Sequence, residues 1–347
     1  MALYLVGLGL GSSGYLTKMA MEVIARSDKA YLDTYTSFLE PGLIEELRII
    51  LGSRLIEADR RLLEEDVSRI VEEAGERDIA ILVPGDPLIA TTHISIIIEA
   101  ARRGIKYHVI HGVSAHSALI SASCLQTYKF GKIVTIPRSG VGVETCYRAI
   151  LENMERGLHT LILLDTADGG LDIPSAIKML MRVEEEVGMG LITPERLVIC
   201  LARIGFGDEF RWAGSLAEAL ERNYPPPPHS IIFPGSLHFS EVEALETLLG
   251  VSPRVIEQHK PLWIIWQRLQ RYIENVENAL RGLELIDQSS KVREVLDLVE
   301  RYLDDSRRFL SGGRGLDSLA AISYAEGLLD CLRMLGRVRF SWGSRQG

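Results

Sequence analysis

Residues 79–87 read Ile-Ala-Ile-Leu-Val-Pro-Gly-Asp-Pro, a continuous apolar run that stops at a proline and a glycine. An apolar run without alternation is typical of a strand that is covered on both faces, as in a parallel sheet. Helical patterns flank it at 62–74 and 94–103, and Gly104 stands where the end of a helix favours glycine. This order of elements predicts an α/β domain with a largely parallel sheet.

The same alternation of strands and helices extends outward from this stretch over about 250 residues. Short strands are predicted at 3–6, 30–32, 55–56, 107–110, 133–136, 160–164, 197–202 and 230–233. Helices are predicted at 17–26, 116–123, 144–154, 175–186, 216–222 and 242–249. Ser114 is a candidate N-cap, and Ser240 with Glu243 forms a candidate capping box. We predict two α/β domains, 1–112 and 113–250, the second with a mixed sheet.

Beyond Pro253 the pattern changes to apolar residues at intervals of four and three. One row consists of Leu262, Trp266, Leu269, Ile273, Val276, Leu280 and Leu283. A second row consists of Val292, Leu296, Val299, Leu303 and Leu310, with Ser306 interrupting it. Residues 316–335 form a third apolar helix pattern, and no strand is predicted here. We predict an all-α helical module over 253–347, an antiparallel bundle or coiled coil of about three helices.

Composition excludes several classes of protein. The net charge is −9, and residues 251–347 hold 15 Lys and Arg against 13 Asp and Glu, so the first 250 residues are the acidic part. An acidic body argues against direct nucleic-acid binding, which needs basic contacts to phosphate. The most apolar longer window, 79–100, is interrupted by Asp86, His93 and two prolines, so no membrane span is expected. An apolar content of 47% excludes disorder as the main state.

Cysteine usage and the N-terminus indicate a cellular compartment. Cys124, Cys146, Cys200 and Cys331 lie among apolar residues, without a C-x-x-C motif or a metal-ligand cluster. Buried thiols in a reducing cytoplasm are therefore expected, with no metal site. The first residues lack a basic region and a long apolar stretch, so no secretory signal is expected and the localisation is predicted as cytoplasmic.

Gly9, Gly11 and Gly14 match the dinucleotide-binding pattern G-x-G-x-x-G, and Asp33 lies where that fold places its ribose carboxylate. This makes a nicotinamide-dependent oxidoreductase one alternative. Against it, Ser12-Ser13 resembles a loop, and the apolar helix begins only near Thr17. The second glycine turn, at 83–87, is also not required by a nicotinamide fold.

Several segments together carry a resemblance to a known family. They are Tyr-Leu-Val-Gly-Leu-Gly-Leu-Gly at 4–11, Tyr-Thr-Ser-Phe at 35–38, Ala-Asp-Arg at 58–60, Val-Pro-Gly-Asp-Pro at 83–87, Ala-Thr-Thr-His at 90–93, Val-Ile-His-Gly-Val-Ser-Ala at 109–115, Leu-Gln-Thr-Tyr-Lys-Phe-Gly at 125–131, Leu-Ala-Arg-Ile-Gly at 201–205 and Pro-His-Ser-Ile-Ile at 228–232. Over about residues 1–250 the sequence resembles the diphthine synthase family, in the tetrapyrrole-methylase-like class of S-adenosylmethionine-dependent methyltransferases. It departs from the family at Ser114-Ala115, where the family has Ser-Ile, and in a short glycine-rich stretch at 138–143. The tail beyond residue 250 resembles a small archaeal helical domain of unknown function.

The resemblance implies a fold and an activity. Two α/β domains with open mixed sheets flank a cleft, and the enzyme is a homodimer. The methyl donor is S-adenosyl-L-methionine, which leaves as S-adenosyl-L-homocysteine. The protein substrate is translation elongation factor 2, on a histidine that already carries a 3-carboxy-3-aminopropyl group. Repeated methylation of that amino group gives diphthine, in diphthamide biosynthesis.

The resemblance also implies site residues at the C-terminal ends of the strands, where open α/β sheets bind ligands. Asp86 would bind a ligand amino or hydroxyl group, cap its own turn, or do both. Ile89 would contribute backbone atoms, and His229 would form a pocket wall without acting as a base. The predicted cofactor-binding residues are Leu10, Asp86, Ile89, Ser114, Ala115, Leu164, Ile204 and His229.

Transfer of a methyl group from an activated donor is mainly a task of binding and alignment, so no catalytic residue is assigned. The acceptor amine must lose a proton before it attacks, to solvent or to a nearby group. Asp33, Asp86, His93 and His111 are possible helpers in that step.

Other functions stay open at this point. One is a tetrapyrrole (precorrin-type) methyltransferase with the same fold, and another is the oxidoreductase above. A third is a non-catalytic binding module in which the tail is the working part. The tail itself is either a structural or dimer-supporting bundle, or a docking module for the elongation factor or the ribosome. Its end carries Arg333, Arg337, Arg339 and Arg345.

Overall fold

A computed structural model describes residues 1–260 and 264–342, without the side chains of 264–267. The chain divides into two compact units, Met1–Pro261 and Leu262–Gly347. Three residues named above, Leu262, Trp266 (its side chain) and Arg345, lie outside the described residues. The division into domains 1–112, 113–250 and 253–347 stays a prediction.

The first sheet is parallel throughout and has the strand order β3-β2-β4-β1-β5. Strands β1 and β4 lie near its centre and are buried along their whole length, which confirms the interpretation of the apolar run at 79–83. Leu3 of β1 pairs with Ile79 on one side and with Tyr107 on the other. The strands are β1 (Leu3–Gly7), β2 (Lys29–Asp33), β3 (Leu55–Ala58), β4 (Ile79–Val83) and β5 (Tyr107–Ile110).

Helices cover both faces of this sheet because neighbouring residues of a strand point to opposite sides. Leu82 belongs to the same core cluster as Leu47, and Ile81 belongs to the opposite cluster with Ile70. The helices are α1 (Lys18–Arg26), α2 (Pro41–Leu51), α3 (Arg60–Glu64), α4 (Val67–Glu73) and α5 (Ile94–Arg102). The single helix predicted over 62–74 is therefore wrong: α3 ends where the N–H groups of Glu65 and Asp66 both bind the Arg61 carbonyl.

The second sheet is mixed, with the order β6-β7-β10-β8-β9. Strand β6 is parallel to β7, whereas β10 runs antiparallel to β7 and β8, and β9 antiparallel to β8. The strands are β6 (Val134–Ile136), β7 (Thr160–Leu164), β8 (Leu197–Ala202), β9 (Phe210–Ser215) and β10 (His229–Phe233). The helices are α6 (Ala115–Ala122), α7 (Val143–Glu155), α8 (Ile173–Val187), α9 (Leu216–Glu221), α10 (Phe239–Leu249) and α11 (Pro253–Gln258).

The start of α10 corrects one prediction. Its N-cap is His238, and the Glu241 carboxylate accepts the His238 N–H at 2.7 Å, so the capping box is not Ser240 with Glu243. Glu241 is buried and Glu243 is exposed, so the two carboxylates face opposite environments. The predicted N-cap at Ser114 is confirmed, since its hydroxyl accepts the His116 N–H at 3.2 Å.

The second unit is helical, as predicted. The described members of the two predicted rows are all buried or partly buried in one cluster. Ser306, which interrupts the second row, is buried and hydrogen-bonded to Ser318 on the neighbouring helix. The expectation of no strand here is wrong, because a two-stranded ladder joins β11 (Glu284–Leu285) to β12 (Val338–Arg339). The helices are α12 (Ile264–Arg281), α13 (Ser290–Ser311) and α14 (Gly315–Met334).

The cysteines follow the prediction only in part. All four are free thiols; Cys146 and Cys200 are buried, Cys124 is half-buried, and Cys331 is exposed on α14. An amphipathic helix can expose one cysteine between apolar neighbours that face inward. Among the residues that the structure describes, no helix is long and apolar enough to span a membrane.

His259, just after α11, predicts how stability responds to acid. Its Nε2–H donates to the Gly235 carbonyl at 2.8 Å, and burial lowers the pKa of His259 to about 4. The unfolded chain, with an ordinary histidine pKa near 6.5, binds more protons between those two values, so stability falls as the pH falls through this window. We expect His259→Gln to reduce the pH dependence of the free energy of unfolding in this window by ~1.4 kcal/mol per pH unit. Urea unfolding of both proteins at pH 6.5 and 5 measures it, and equal pH slopes would contradict it.

Candidate active site

Three glycine-containing loops meet above the C-terminal ends of β1, β4 and β5. Gly9 and Gly85 exchange two backbone hydrogen bonds, of 3.2 and 2.7 Å. A Cβ atom on Gly7 would lie 2.5 Å from the Gly112 nitrogen, and one on Gly112 would fall on the Gly85 carbonyl oxygen. The loops can therefore approach this closely only because these positions lack side chains.

The glycine-rich opening does not form the first turn of a helix. After Gly11 the chain makes a 3-10 turn at Ser13–Tyr15, and α1 begins only at Lys18. A dinucleotide fingerprint requires its glycines to lead directly into the helix that receives the pyrophosphate. This geometry disfavours the nicotinamide alternative.

A cavity of about 530 Å³ opens at these loops, and it is lined by residues that follow strands of the first sheet and by strand residues of the second sheet. Its size is in the range typical of small-molecule sites. All eight residues predicted from the resemblance lie in its wall: Leu10, Asp86, Ile89, Ser114, Ala115, Leu164, Ile204 and His229. The structure thus brings together positions that are more than 200 residues apart in the chain.

Asp86 is the acidic group at the glycine end of the cavity, and it is 5% exposed. Its Oδ1 atom accepts the Leu88 N–H at 3.0 Å, which is the turn-capping role predicted for it. Its Oδ2 atom lies 2.8 Å from Nδ1 of His111, whose ring is otherwise exposed. These two contacts fix the carboxylate beside the cavity.

The rest of this end is apolar. Leu10 and Leu164 are buried, and Ile204 is partly buried. Gly205 packs directly on the Leu10 side chain, so a Cβ atom there would collide with it. The N-terminus of α6 supplies Ser114 and Ala115, and Ile89 is 42% exposed at the wall. Such a surface excludes water from one side of a bound ligand.

His229 is held at both ring nitrogens. Its Nδ1 atom accepts the Ile173 N–H at 3.2 Å, so its Nε2–H donates to the Pro225 carbonyl at 2.7 Å. Burial lowers the pKa of His229, against the hydrogen bond to Pro225. A neutral ring with both nitrogens occupied is a wall residue, in line with the expectation that it is not a base.

The opposite end of the cavity carries polar groups that follow β2 and β3 and precede α5. The Tyr35 hydroxyl donates to Oε1 of Glu64 at 3.3 Å, and the Thr92 hydroxyl donates to the same atom at 2.9 Å. The Arg60 guanidinium lies over the Tyr35 ring at 5.2 Å, with Nε 3.9 Å from Oε2 of Glu64. Burial, with the charges of Asp33 and Glu64, raises the pKa of Tyr35 to about 12, so its hydroxyl stays protonated.

Asp33 and His93 lie directly behind this polar wall and are almost completely buried. Oδ1 of Asp33 accepts the N–H groups of Tyr35 and Thr36, each at 3.0 Å, and Oδ2 lies 3.3 Å from Nε2 of His93. Burial lowers the pKa of His93, although the Asp33 charge opposes that shift. Of the four possible helpers, Asp86 alone lies in the cavity wall, whereas Asp33 and His93 support the loop that carries Tyr35.

Sequence reasoning did not single out Arg60 and Glu64 as site residues. An Arg and a Glu four residues apart on a helix are usually a solvated pair. The available signal was the motifs at 35–38, 58–60 and 90–93, which the structure brings to the same wall; the motif at 58–60 includes Arg60 itself, without a role assigned to it. Within the described part of the chain, no three His, Cys, Asp or Glu residues are grouped to hold a metal.

Comparison with known proteins now gives the family. A family model described as Tetrapyrrole (Corrin/Porphyrin) Methylases matches residues 2–220. The diphthine synthase of Staphylothermus marinus is 39% identical over 271 residues, which are 74% of this chain and 97% of that protein. The chain belongs to the diphthine synthase family.

Other members of the diphthine synthase family agree with this assignment. The diphthine synthase of Sulfurisphaera tokodaii is 37% identical over 252 residues, covering 71% of this chain and 98% of that protein. A crystal structure of diphthine synthase matches with a TM-score of 0.66 and 31% identity, over 74% of this chain and 99% of that chain. A second family model, of a protein of unknown function, matches residues 271–338, within the helical unit.

A methylase of the diphthine synthase family needs a methyl donor and an acceptor in one pocket. The cavity has two chemically different ends that suit this need. One end combines glycine loops, apolar side chains and Asp86. The other end combines a hydroxyl-rich wall with an Arg and a Glu.

Proposed function

We propose that this chain is an S-adenosyl-L-methionine-dependent methyltransferase that acts on translation elongation factor 2. Its acceptor is the amino group of the 3-carboxy-3-aminopropyl histidine, and repeated methylation gives diphthine. The observation that carries the proposal is the meeting of the eight predicted residues in one cavity, in a chain of the diphthine synthase family.

The residues at the glycine end fit the donor. Gly9 and Gly85 line the cavity, and because they have no side chains, a ligand can approach the backbone of this glycine-loop cradle closely. Asp86 is a buried carboxylate in the cavity wall beside this cradle, and it would favour a cationic or hydroxyl-bearing ligand. Leu10, Leu164 and Ile204 would cover the apolar parts of the donor. Ser114 and the start of α6 would offer hydrogen-bond donors.

When bound, S-adenosyl-L-methionine supplies an electrophilic methyl group on a positively charged sulfur. The residues of the chain hold donor and acceptor in line and keep water out, because alignment supplies most of the acceleration for an activated donor. The protein has no need to form a covalent intermediate.

The proposal includes a homodimer and a protein partner. The elongation factor presents its modified histidine to the cavity, and neither nucleic acid nor a membrane is a partner. The acidic character of the first 250 residues supports this choice, because it disfavours contacts with phosphate. Size-exclusion chromatography with light scattering tests the dimer, and a monomeric mass would contradict it.

The decisive experiment uses labelled S-adenosyl-L-methionine and elongation factor 2 that bears the aminocarboxypropyl histidine. Mass spectrometry of the modified peptide reads the product. Mass gains in methyl steps on that histidine are expected, and they also count the methyl groups. If the peptide mass does not increase although the protein still binds S-adenosyl-L-homocysteine, the assigned acceptor is wrong, and tetrapyrroles are the next substrates to test.

Asp86→Ala is expected to weaken binding of S-adenosyl-L-homocysteine by roughly 10- to 100-fold, the usual effect of losing a charged hydrogen bond. Asp86→Asn keeps an acceptor for the Leu88 N–H and removes the charge, so it separates turn capping from ligand binding. Isothermal calorimetry measures affinity, and the thermal midpoint checks the fold. Wild-type affinity in Asp86→Ala would contradict the role of Asp86.

A further inference from the structure

The polar end of the cavity has the chemistry of a site for an amino-acid head group. Glu64 is a carboxylate with one oxygen fixed, since Thr92 and Tyr35 both donate hydroxyl protons to Oε1. Its other oxygen, Oε2, lies 3.9 Å from Nε of Arg60, which is too long for a hydrogen bond. The carboxylate is thus oriented by neutral hydroxyls while Oε2 keeps its capacity to accept from a ligand.

Arg60 adds the opposite charge on the same short helix. Its side chain is 68% exposed and lies over the Tyr35 ring, whereas that of Glu64 is 32% exposed. Both residues line the cavity. An ammonium pairs with a carboxylate, and a carboxylate pairs with a guanidinium, often through two hydrogen bonds. The two residues therefore match a ligand that carries both groups on one carbon.

The sheet order places this end apart from the glycine loops. The glycine loops follow β4, β1 and β5, whereas Tyr35 follows β2 and Arg60 follows β3. Strand β2 is next to β4, but β3, which leads to Arg60, is two strands from β4 and three from β1. At about 4.8 Å per strand, these separations are roughly 10 and 14 Å. A donor at the glycine loops and an acceptor at the Arg60 end would thus occupy the same cavity while contacting different residues of its wall.

We propose that Arg60 and Glu64, with Tyr35, form the acceptor subsite, in which Arg60 binds the acceptor carboxylate and Glu64 binds its amino group and takes its proton. This inference rests on the proposed function. The acceptor class is a primary amine beside a carboxylate, that is, an α-amino-acid head group at the end of a protein side chain.

Each methyl transfer breaks one carbon–sulfur bond and forms one carbon–nitrogen bond. The acceptor ammonium gives one proton to the Glu64 carboxylate, and the nitrogen lone pair then forms a bond to the methyl carbon. The carbon–sulfur bond breaks, and its electron pair stays on sulfur as a neutral thioether. Glu64 passes its proton to water, which reaches the partly exposed side chain, and the next methylation repeats the cycle.

Asp33 and His93 act in this arrangement as positioning residues. The Asp33 carboxylate holds the backbone of the Tyr35 loop, and His93 packs edge-on against the Tyr35 ring at 6.3 Å between centroids. The charged or titratable groups that face Glu64 are Arg60 on its own helix, Tyr35 after β2 and His93 before α5. Tyr35 stays protonated and His93 stays neutral near pH 7. A second carboxylate of the cavity wall, Asp165, also interacts with the Arg60 charge, but its two oxygens accept the Arg138 and Ala167 N–H groups.

The test compares Glu64→Gln with Glu65→Gln, a matched change of the neighbouring carboxylate, which is 74% exposed and outside the cavity wall. With modified elongation factor 2 as the substrate, we expect the kcat of Glu64→Gln at pH 7 to be roughly 100-fold or more below that of the wild type. This is the range of effects seen when a general base is lost. The deficit should shrink toward pH 9, because solvent then deprotonates an amine with a pKa of ~8 or above. Affinity for S-adenosyl-L-homocysteine should not change in either variant.

Arg60→Gln, with Arg61→Gln as its control, separates binding from proton transfer. Loss of a guanidinium–carboxylate contact should raise the KM for the elongation factor by roughly 10- to 100-fold, with a smaller change in kcat. If the wild type methylates the histidine and Glu64→Gln matches Glu65→Gln, the subsite is wrong while the proposed function stands. Lost S-adenosyl-L-homocysteine affinity in Glu64→Gln also overturns the subsite. If the wild type leaves the histidine unmodified, the proposed function and the subsite fall together.

Discussion

Glu241→Ala should destabilise the protein by about 3–5 kcal/mol, the usual effect of removing one partner from a buried ion pair. The side chain is 1% exposed. It accepts from Lys129 Nζ at 2.5 Å, from His159 Nε2 at 3.0 Å and from the Gln126 and His238 N–H groups at 2.9 and 2.7 Å. Burial alone would raise the pKa of Glu241, but these hydrogen bonds outweigh it and lower the pKa. Removing the carboxylate leaves the buried His159 ring and three partly buried donors without their acceptor.

Glu243→Ala is the matched control, because Glu243 is an exposed carboxylate on the same helix. Its effect should stay within about 0.5 kcal/mol, as for most surface substitutions. Urea unfolding of the two variants at pH 7 measures the difference. Similar stabilities for Glu241→Ala and Glu243→Ala would show that the Glu241 cluster contributes little.

Gly112→Ala should separate the loops that form the glycine end of the cavity. The new methyl group would fall on the Gly85 carbonyl oxygen and lie 2.9 Å from the Gly7 carbonyl carbon. Both are backbone atoms, so neither can rotate away as a side chain would. We expect a destabilisation of about 1–3 kcal/mol from overpacking. S-adenosyl-L-homocysteine affinity should fall by ~10-fold or more, since displacement of a binding loop by about 1 Å is costly.

The control for this change is Gly42→Ala. Gly42 lies in α2, where an added Cβ meets nothing within 4 Å, so the substitution should be neutral or slightly stabilising. Thermal midpoints and calorimetric titration compare the two variants. Wild-type affinity in Gly112→Ala would contradict the argument that the loops must stay in contact.

The parallel first sheet could be predicted because a strand that is buried on both faces is apolar at every position. Residues 79–83 show such a continuous apolar run. Strand β9 was missed because it lies at a sheet edge, where Phe210, Trp212 and Gly214 give neither an alternating nor a continuous apolar pattern. The break between α3 and α4 depends on a local competition for the Arg61 carbonyl, which periodicity does not report.

The residues of the candidate site also differ in whether the sequence could predict them. Leu164 and Ile204 resemble ordinary core residues, so only the family resemblance could nominate them. Glu64 resembles a solvated helix residue, and its hydroxyl partners come from segments far along the chain. Glu241 likewise accepts a hydrogen bond from Lys129, which lies more than 100 residues away in the chain. Contacts of this length are set by tertiary packing, and no local pattern encodes them.

The position of β1 in the first sheet has a consequence for how the chain is made. This strand is synthesised before both of its partners, which are the fourth and fifth strands, with Leu3 opposite Ile79 and Tyr107. Closing such long loops is slow, because chain entropy is lost before the pairing is gained. A nascent chain or fragment that ends before residue 79 therefore holds an apolar central strand with both edges open, a state prone to aggregation. Soluble truncations of this protein have to retain β4 and β5.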